Sequence, residues 1–288
     1  MKEEEILELM RLYKKNPTEM RTIIENKYKN DIKYVIDAIK KNKKPSEYII
    51  RTNRDYPLIR KEFEKQIERP FVSDEKDEKI SIEHAQQFYI YKYGTFHKKK
   101  IPYFGYVIGY ELPFFEHRDS GAIDLIFYDD DNSLFNIVEM KNCQMGNKAA
   151  STETLTRALL EIETYNRLLN LCIIEEKKEK KNILFDRLFS EAEALYENIK
   201  ISNEKRKRII KENRIVKNIL IPQSIYDRSR SNPKEKDIVK NLPIDINIYS
   251  FSLKDSIFNT SQSIKECAME DNFIFNIKMI ENKRYEQS

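Results

Sequence analysis

Glycine is scarce, with 5 in 288 residues. Gly105 and Gly109 in Tyr103-Phe104-Gly105-Tyr106-Val107-Ile108-Gly109 are too sparse for a phosphate-cradling loop, so ATP hydrolysis is not expected. The three histidines, His84, His97 and His117, have no metal-ligand spacing, which argues against a histidine-based nuclease or a zinc hydrolase. The three cysteines, Cys143, Cys172 and Cys267, are odd in number and include no CxxC pair. They support neither a disulfide framework nor a zinc site and are expected as reduced, mostly buried thiols. No apolar run approaches the roughly 20 residues that cross a bilayer. The start, Met1-Lys2-Glu3-Glu4-Glu5, is too acidic for a secretory signal, so no membrane association and a cytoplasmic location are expected. An excess of one charge is missing too: 52 basic residues face 48 acidic ones, a net charge of +4.

What is present is a chain with 40% hydrophobic residues, enough for one main domain with an appendage. Residues 1–75 read as an N-terminal helical region, with Ile6, Leu7 and Met10 and then Ile32, Val35, Ile36 and Ile39 at helical spacing. This region is one candidate surface for a protein partner. The polar segment Ser73 to Lys79 suits a linker, and Ser81 suits the cap of a helix from Ile82 to about Tyr91. Apolar runs then predict strands over Tyr103 to Phe114, Ala122 to Tyr128 and Leu134 to Asn142, joined as an antiparallel meander. From Thr152 the period is helical, through Leu155, Ala158, Leu159, Ile162, Tyr165, Leu169 and Cys172. A charged helical insertion is expected at about 175–213, with one amphipathic helix over Leu184 to Ile199, before strands at Ile215 to Ile221 and Ile244 to Phe251. The expected class is α/β (α+β), a central mixed sheet flanked by helices within residues 76–288.

Local basic runs at Lys40 to Lys44, Lys98-Lys99-Lys100, Lys177 to Lys181 and Lys205-Arg206-Lys207-Arg208 are candidates for facing phosphates, although most such runs are solvated faces. The chemistry sits elsewhere. Glu139-Met140-Lys141 ends a β-run, whereas five other Glu-x-Lys triplets, beginning at Glu25, Glu175, Glu176, Glu179 and Glu281, lie in helical, charged or tail contexts where exposed charge is expected. On a strand Glu139 and Lys141 share a face, and the short connection from the preceding strand brings Asp124 beside Glu139. Two carboxylates and an amine inside a sheet are costly unless they meet a metal or each other. The pair Asp124 and Glu139 suits Mg²⁺ or Mn²⁺. Lys141 is then placed to orient or deprotonate a water or to stabilise developing charge, a set suited to phosphodiester hydrolysis.

The fragment running from Glu111-Leu112-Pro113 through Gly121-Ala122-Ile123-Asp124 to Val138-Glu139-Met140-Lys141-Asn142, followed by a long helix, resembles the PD-(D/E)XK nuclease superfamily over roughly residues 80–251. Ile123 stands where the family name has proline. The resemblance implies a restriction-endonuclease-like core and a metal-dependent nuclease, acting on DNA ahead of RNA. Asp124, Glu139 and Lys141 would be its catalytic residues, and the backbone carbonyl of Met140 a further metal ligand.

Many members of the superfamily add an upstream glutamate, for which Glu83 and Glu111 are the candidates. Glu161 and Tyr165 occupy the spacing of the Gln-xxx-Tyr pair that RecB-type nucleases place toward substrate. Glu161 also lies one turn from Arg157, and Tyr165 belongs to the apolar stripe of its helix. A homodimer would let two sites cut two strands. The alternatives left open are a non-catalytic nucleic-acid-binding or assembly protein on the same core, and a nuclease effector switched on by a ligand or partner.

Overall fold

The computed structural model describes residues 82–113, 122–142, 154–232, 245–254 and 262–281. The N-terminal region to residue 75, the linker, the Ser81 cap, the turn bearing His117 and the thiol of Cys143 lie outside these residues, as does the side chain of Cys172. Within them the chain is an α+β fold around one six-stranded mixed sheet. Helix α1 (Ile82–His97) precedes the meander β1 (Tyr106–Pro113), β2 (Ala122–Asp129) and β3 (Leu134–Met140). Three helices follow: α2 (Leu155–Lys178), α3 (Ile183–Leu195) and α4 (Asn203–Glu212). Strand β4 (Ile215–Pro222), helix α5 (Gln223–Ser231), strand β5 (Ile246–Leu253), helix α6 (Ile264–Met269) and strand β6 (Phe275–Glu281) complete the order.

The strands lie side by side in chain order. Pairings β1–β2, β2–β3 and β5–β6 are antiparallel, while β3–β4 and β4–β5 are parallel and therefore need crossovers, which the helices after β3 and after β4 supply. Both faces are covered, which explains why the strands read as nearly continuous apolar runs. Ile126, Ile137 and Ile219 pack with Leu159, Ile162, Phe185, Phe189 and Ile225 from α2, α3 and α5. Leu125, Val138, Leu220 and Tyr249 pack on the opposite face with Phe88, Tyr89 and Ile264 from α1 and α6.

Three departures from the expected elements have local causes. Tyr103 does not begin a strand: it has φ 70° in a turn closed by Ile101 and Gly105, and a Cβ on Gly105 would meet the Tyr128 carbonyl oxygen at 2.4 Å. The stretch 184–199 is not one helix, because α3 ends at Leu195 and the backbone at Tyr196 is extended. Glu176 is not an exposed charge: it is buried, and both its carboxylate oxygens lie 3.1 Å from the Leu184 N–H at the start of α3. Helices α5 and α6 and strand β6 are additional to the elements the sequence periodicity predicts, and β6 takes in Glu281, the first residue of a triplet expected in a tail.

At the end of the sheet where β3 and β4 begin, three buried asparagines form a ladder across the parallel strands. The Asn247 amide donates to Asn218 at 3.0 Å, Asn218 donates to Asn136 at 3.0 Å, and Asn136 donates to the Phe104 carbonyl at 2.9 Å.

Candidate active site

The opposite end of β3 carries the charged residues. The register pairs Leu125 with Val138. One step further along the same ladder puts Asp124 opposite Glu139. Glu111 falls between Tyr110, opposite Leu125, and Leu112, opposite Ile123, which sets it beside Asp124 on the other side. Three carboxylate residues on adjacent strands therefore form one row. Asp124 is 7% exposed, Glu139 2% and Glu111 5%.

Each member of the row is held differently. Asp124 Oδ2 accepts the backbone N–H of Met140 at 2.6 Å, closing the β2–β3 ladder where regular pairing stops. A β-residue turns its N–H and C=O to the same side of the strand, so the Met140 carbonyl also projects toward β2. Glu139 Oε1 accepts from Lys141 Nζ at 2.5 Å, while Glu139 Oε2 is buried with no hydrogen-bond partner among the described residues. Glu111 instead pairs with His84 Nε2 of α1 at 2.6 Å, so the histidine passed over in the sequence lies at the site and meets a carboxylate. Glu111 has φ 50°, alone among the described non-glycine residues within strands. A backbone in that region costs on the order of 1–3 kcal/mol, a strain typical of functional sites.

Lys141 follows the last residue of β3, and its N–H donates to the Leu220 carbonyl at 3.0 Å, which extends the β3–β4 ladder by one step. Its ammonium is buried and paired with Glu161 of α2 as well as with Glu139. Glu161 in turn accepts from Arg157 Nε, one turn earlier, at 3.3 Å. Tyr165 is buried in the core beneath α2. The structure thus brings together Asp124, Glu139, Lys141, Glu161 and Tyr165.

Electrostatics bind this group further. Burial raises the pKa of Asp124 well above the usual carboxylate value, with Glu139 and Glu83 adding to the rise and Lys141 and the Met140 N–H opposing it. Burial likewise pushes Glu139 up to about 7 against the pull of Lys141. Glu161 is raised by burial alone, and the Tyr165 hydroxyl by burial together with Glu139, Glu161 and Asp124. The influence of Glu83 on both Asp124 and Glu139 places the first turn of α1 close to the row.

The buried oxygen of Glu139 without a partner and the Asp124 carboxylate opposite it are a donor set that fits a hard divalent cation. Among the described residues the one set of three carboxylates whose oxygens lie within 4.8 Å of one another is Asp129, Asp130 and Asp131 at the β2–β3 turn. Those face solvent at the far end of the sheet, and Lys100 pairs with two of them. No described helix is long and apolar enough to cross a membrane. No family model, curated protein or solved structure matches the chain.

Proposed function

We propose that the chain is a Mg²⁺- or Mn²⁺-dependent nuclease that hydrolyses phosphodiester bonds, DNA ahead of RNA, on a restriction-endonuclease-like core. The observation that carries this reading is the buried pair of opposed carboxylates, Asp124 and Glu139, with an ammonium 2.5 Å from the second. The order of helix, three-stranded meander, long helix and parallel strand supports the same core. So does the burial of Glu139 Oε2 without a hydrogen-bond partner among the described residues, a cost that a bound cation would offset.

Asp124 and Glu139 would hold the metal, with the Met140 carbonyl and Glu83 as further oxygen donors. Bound there, the metal would act as a Lewis acid toward a phosphate oxygen and lower the pKa of water. Lys141 Nζ lies between the carboxylates of Glu139 and Glu161, where it would serve as a fixed cation facing the charge that builds up on the phosphate. Glu161 and Arg157 fix that cation from α2. The Glu111–His84 pair anchors the first turn of α1, with Glu83 beside it, against the row.

The test is digestion of linear, circular and single-stranded DNA and of RNA by the full chain with Mg²⁺ or Mn²⁺, beside Asp124→Ala and Lys141→Ala. Cleavage by the wild type that either substitution abolishes is the expected result. A chain that cuts none of these substrates, or an Asp124→Ala variant that cuts as well as wild type, overturns the reading.

A further inference from the structure

We infer that Gln87 of α1 is a positioning residue for the divalent cation at the carboxylate row, where its side-chain amide holds a water of the cation's hydration shell. The inference rests on the nuclease reading and adds to the site a residue that lies outside the row itself. Gln87 is 0% exposed, and neither its Oε1 nor its Nε2 has a hydrogen-bond partner among the described residues. Leaving both ends of one buried amide unmatched is costly, and native proteins meet such groups with an ordered water or a bound ligand.

The helix aims that amide toward the row. Glu83, Gln87 and Gly94 follow one another at intervals of four and seven residues and so share one face of α1. Gly94 shows which way the face looks, since a Cβ there would meet Val107 Cγ1 of β1 at 2.5 Å. Side chains on a helix lean toward its N-terminus, so Gln87 reaches back over the turn that carries Glu83 and His84. His84 Nε2 lies 2.6 Å from Glu111 Oε1 in the row, and the charge of Glu83 acts on both Asp124 and Glu139. In the other direction the same face continues into the core with Ile90 and with Tyr91, whose ring stacks on that of Tyr110. The charged surroundings of Gln87 therefore lie on the side of the row.

A cation held by Asp124 and Glu139 fits this arrangement. Mg²⁺ bound by one or two carboxylates keeps several of its waters, and each such water is a strong donor that needs an acceptor once it leaves bulk solvent. Gln87 Oε1 is an uncharged acceptor, so it takes such a water without adding negative charge beside Asp124, Glu139 and Glu161, which are already buried together. Gln87 Nε2 is a donor within one turn of the Glu83 carboxylate, at about 5–6 Å between Cβ atoms. The acidic turn of Asp129, Asp130 and Asp131 is a separate place for a cation to settle, so binding there has to be told apart from binding at the row.

The experiment uses the full chain stripped of metal and follows free Mn²⁺ by electron paramagnetic resonance as the ion is titrated in, beside melting temperatures without metal. Glu139→Gln marks the share of the binding that belongs to the row. Gln87→Met removes both amide atoms at nearly constant length. It is expected to weaken Mn²⁺ binding at the row roughly tenfold, while the metal-free melting temperature does not fall, because an unmatched buried amide is gone. Gln87→Glu keeps an acceptor oxygen and is expected to bind Mn²⁺ at least as tightly as wild type, and it carries the test if Gln87→Met does not fold. If Gln87→Met binds Mn²⁺ as tightly as wild type, or Gln87→Glu binds it more weakly, the role of Gln87 is overturned while the nuclease reading stands. A wild-type chain that binds Mn²⁺ at the row and cuts no nucleic acid overturns the nuclease reading alone. A wild-type chain with no binding that Glu139→Gln abolishes overturns both.

Discussion

The carboxylate of Asp124 closes on the backbone N–H of Met140 at 2.6 Å, so the residue proposed to hold a metal is also the last bond between β2 and β3. The two tasks separate by substitution. Asp124→Asn keeps an acceptor oxygen for Met140, whereas Asp124→Ala leaves a buried N–H unpaired at a cost of roughly 1–3 kcal/mol. Urea denaturation is expected to show that loss for alanine and little or none for asparagine. Cleavage is expected to fall at least a hundredfold for both.

Stability without metal should have an unusual pH dependence. Burial raises Glu139 from its ordinary value near 4.5 to about 7, and Asp124 and Glu161 move in the same direction. Between those values the folded protein binds more protons than the unfolded chain, so the contribution of Glu139 to stability falls as pH rises from about 4.5 to about 7 and is level above. Melting temperatures of the metal-free chain are expected to decline over that window, and Glu139→Gln is expected to flatten the decline. Mg²⁺ or Mn²⁺ should raise the melting temperature most at the alkaline end, where the carboxylates are ionised, and Glu139→Gln should abolish the rise.

Lys141 and Glu161 form a buried pair whose value for folding is expected to differ from its value for activity. Lys141→Ala strands Glu139 and Glu161 together and costs roughly 3–5 kcal/mol. Exchanging the whole cluster for uncharged residues, as in Lys141→Met with Glu139→Gln and Glu161→Leu, should recover most of that loss in denaturant titrations. The triple variant is expected to remain inactive, which would assign the cluster to chemistry and not to stability.

Gly94 sets how closely α1 approaches the sheet. A Cβ there would lie 2.5 Å from Val107 Cγ1, so Gly94→Ala must push α1 away from β1 at a cost of about 1–3 kcal/mol. Because α1 also carries Glu83 and His84, the variant is expected to lose metal affinity as well as stability. Metal titrations followed by melting temperature would show both.

The sequence announced the meander and α2 because their apolar periods are long and regular. It announced Asp124, Glu139 and Lys141 because charge interrupting a β-run is conspicuous. It was silent on α5, whose nine residues Gln223 to Ser231 are mostly polar, and on α6, which is six residues long and is started by the capping box of Ser263 and Glu266. Strand β6 alternates apolar and polar residues only over Phe275 to Lys278 before Met279 and Ile280 break the pattern, so its period-two signal is short. His84 and Glu111 lie 27 positions apart, and neither carries a local signal of the other; only the packing of α1 on β1 joins them. Glu161 carries no local signal of its partner either, since only the packing of α2 against the end of β3 sets it on Lys141.

The asparagine ladder across β3, β4 and β5 has a consequence for how the chain finds this arrangement. A slip of one residue in β4 would exchange its two faces, sending Lys217 away from Glu163 of α2 and Asn218 away from Asn136 and Asn247. Apolar side chains alone would tolerate such a slip, since both faces of β4 are oily. Three buried amides that hydrogen-bond one another and the Phe104 carbonyl make the misregistered sheet the costlier one, so the far end of the domain acts as an alignment key for the row of carboxylates at the near end.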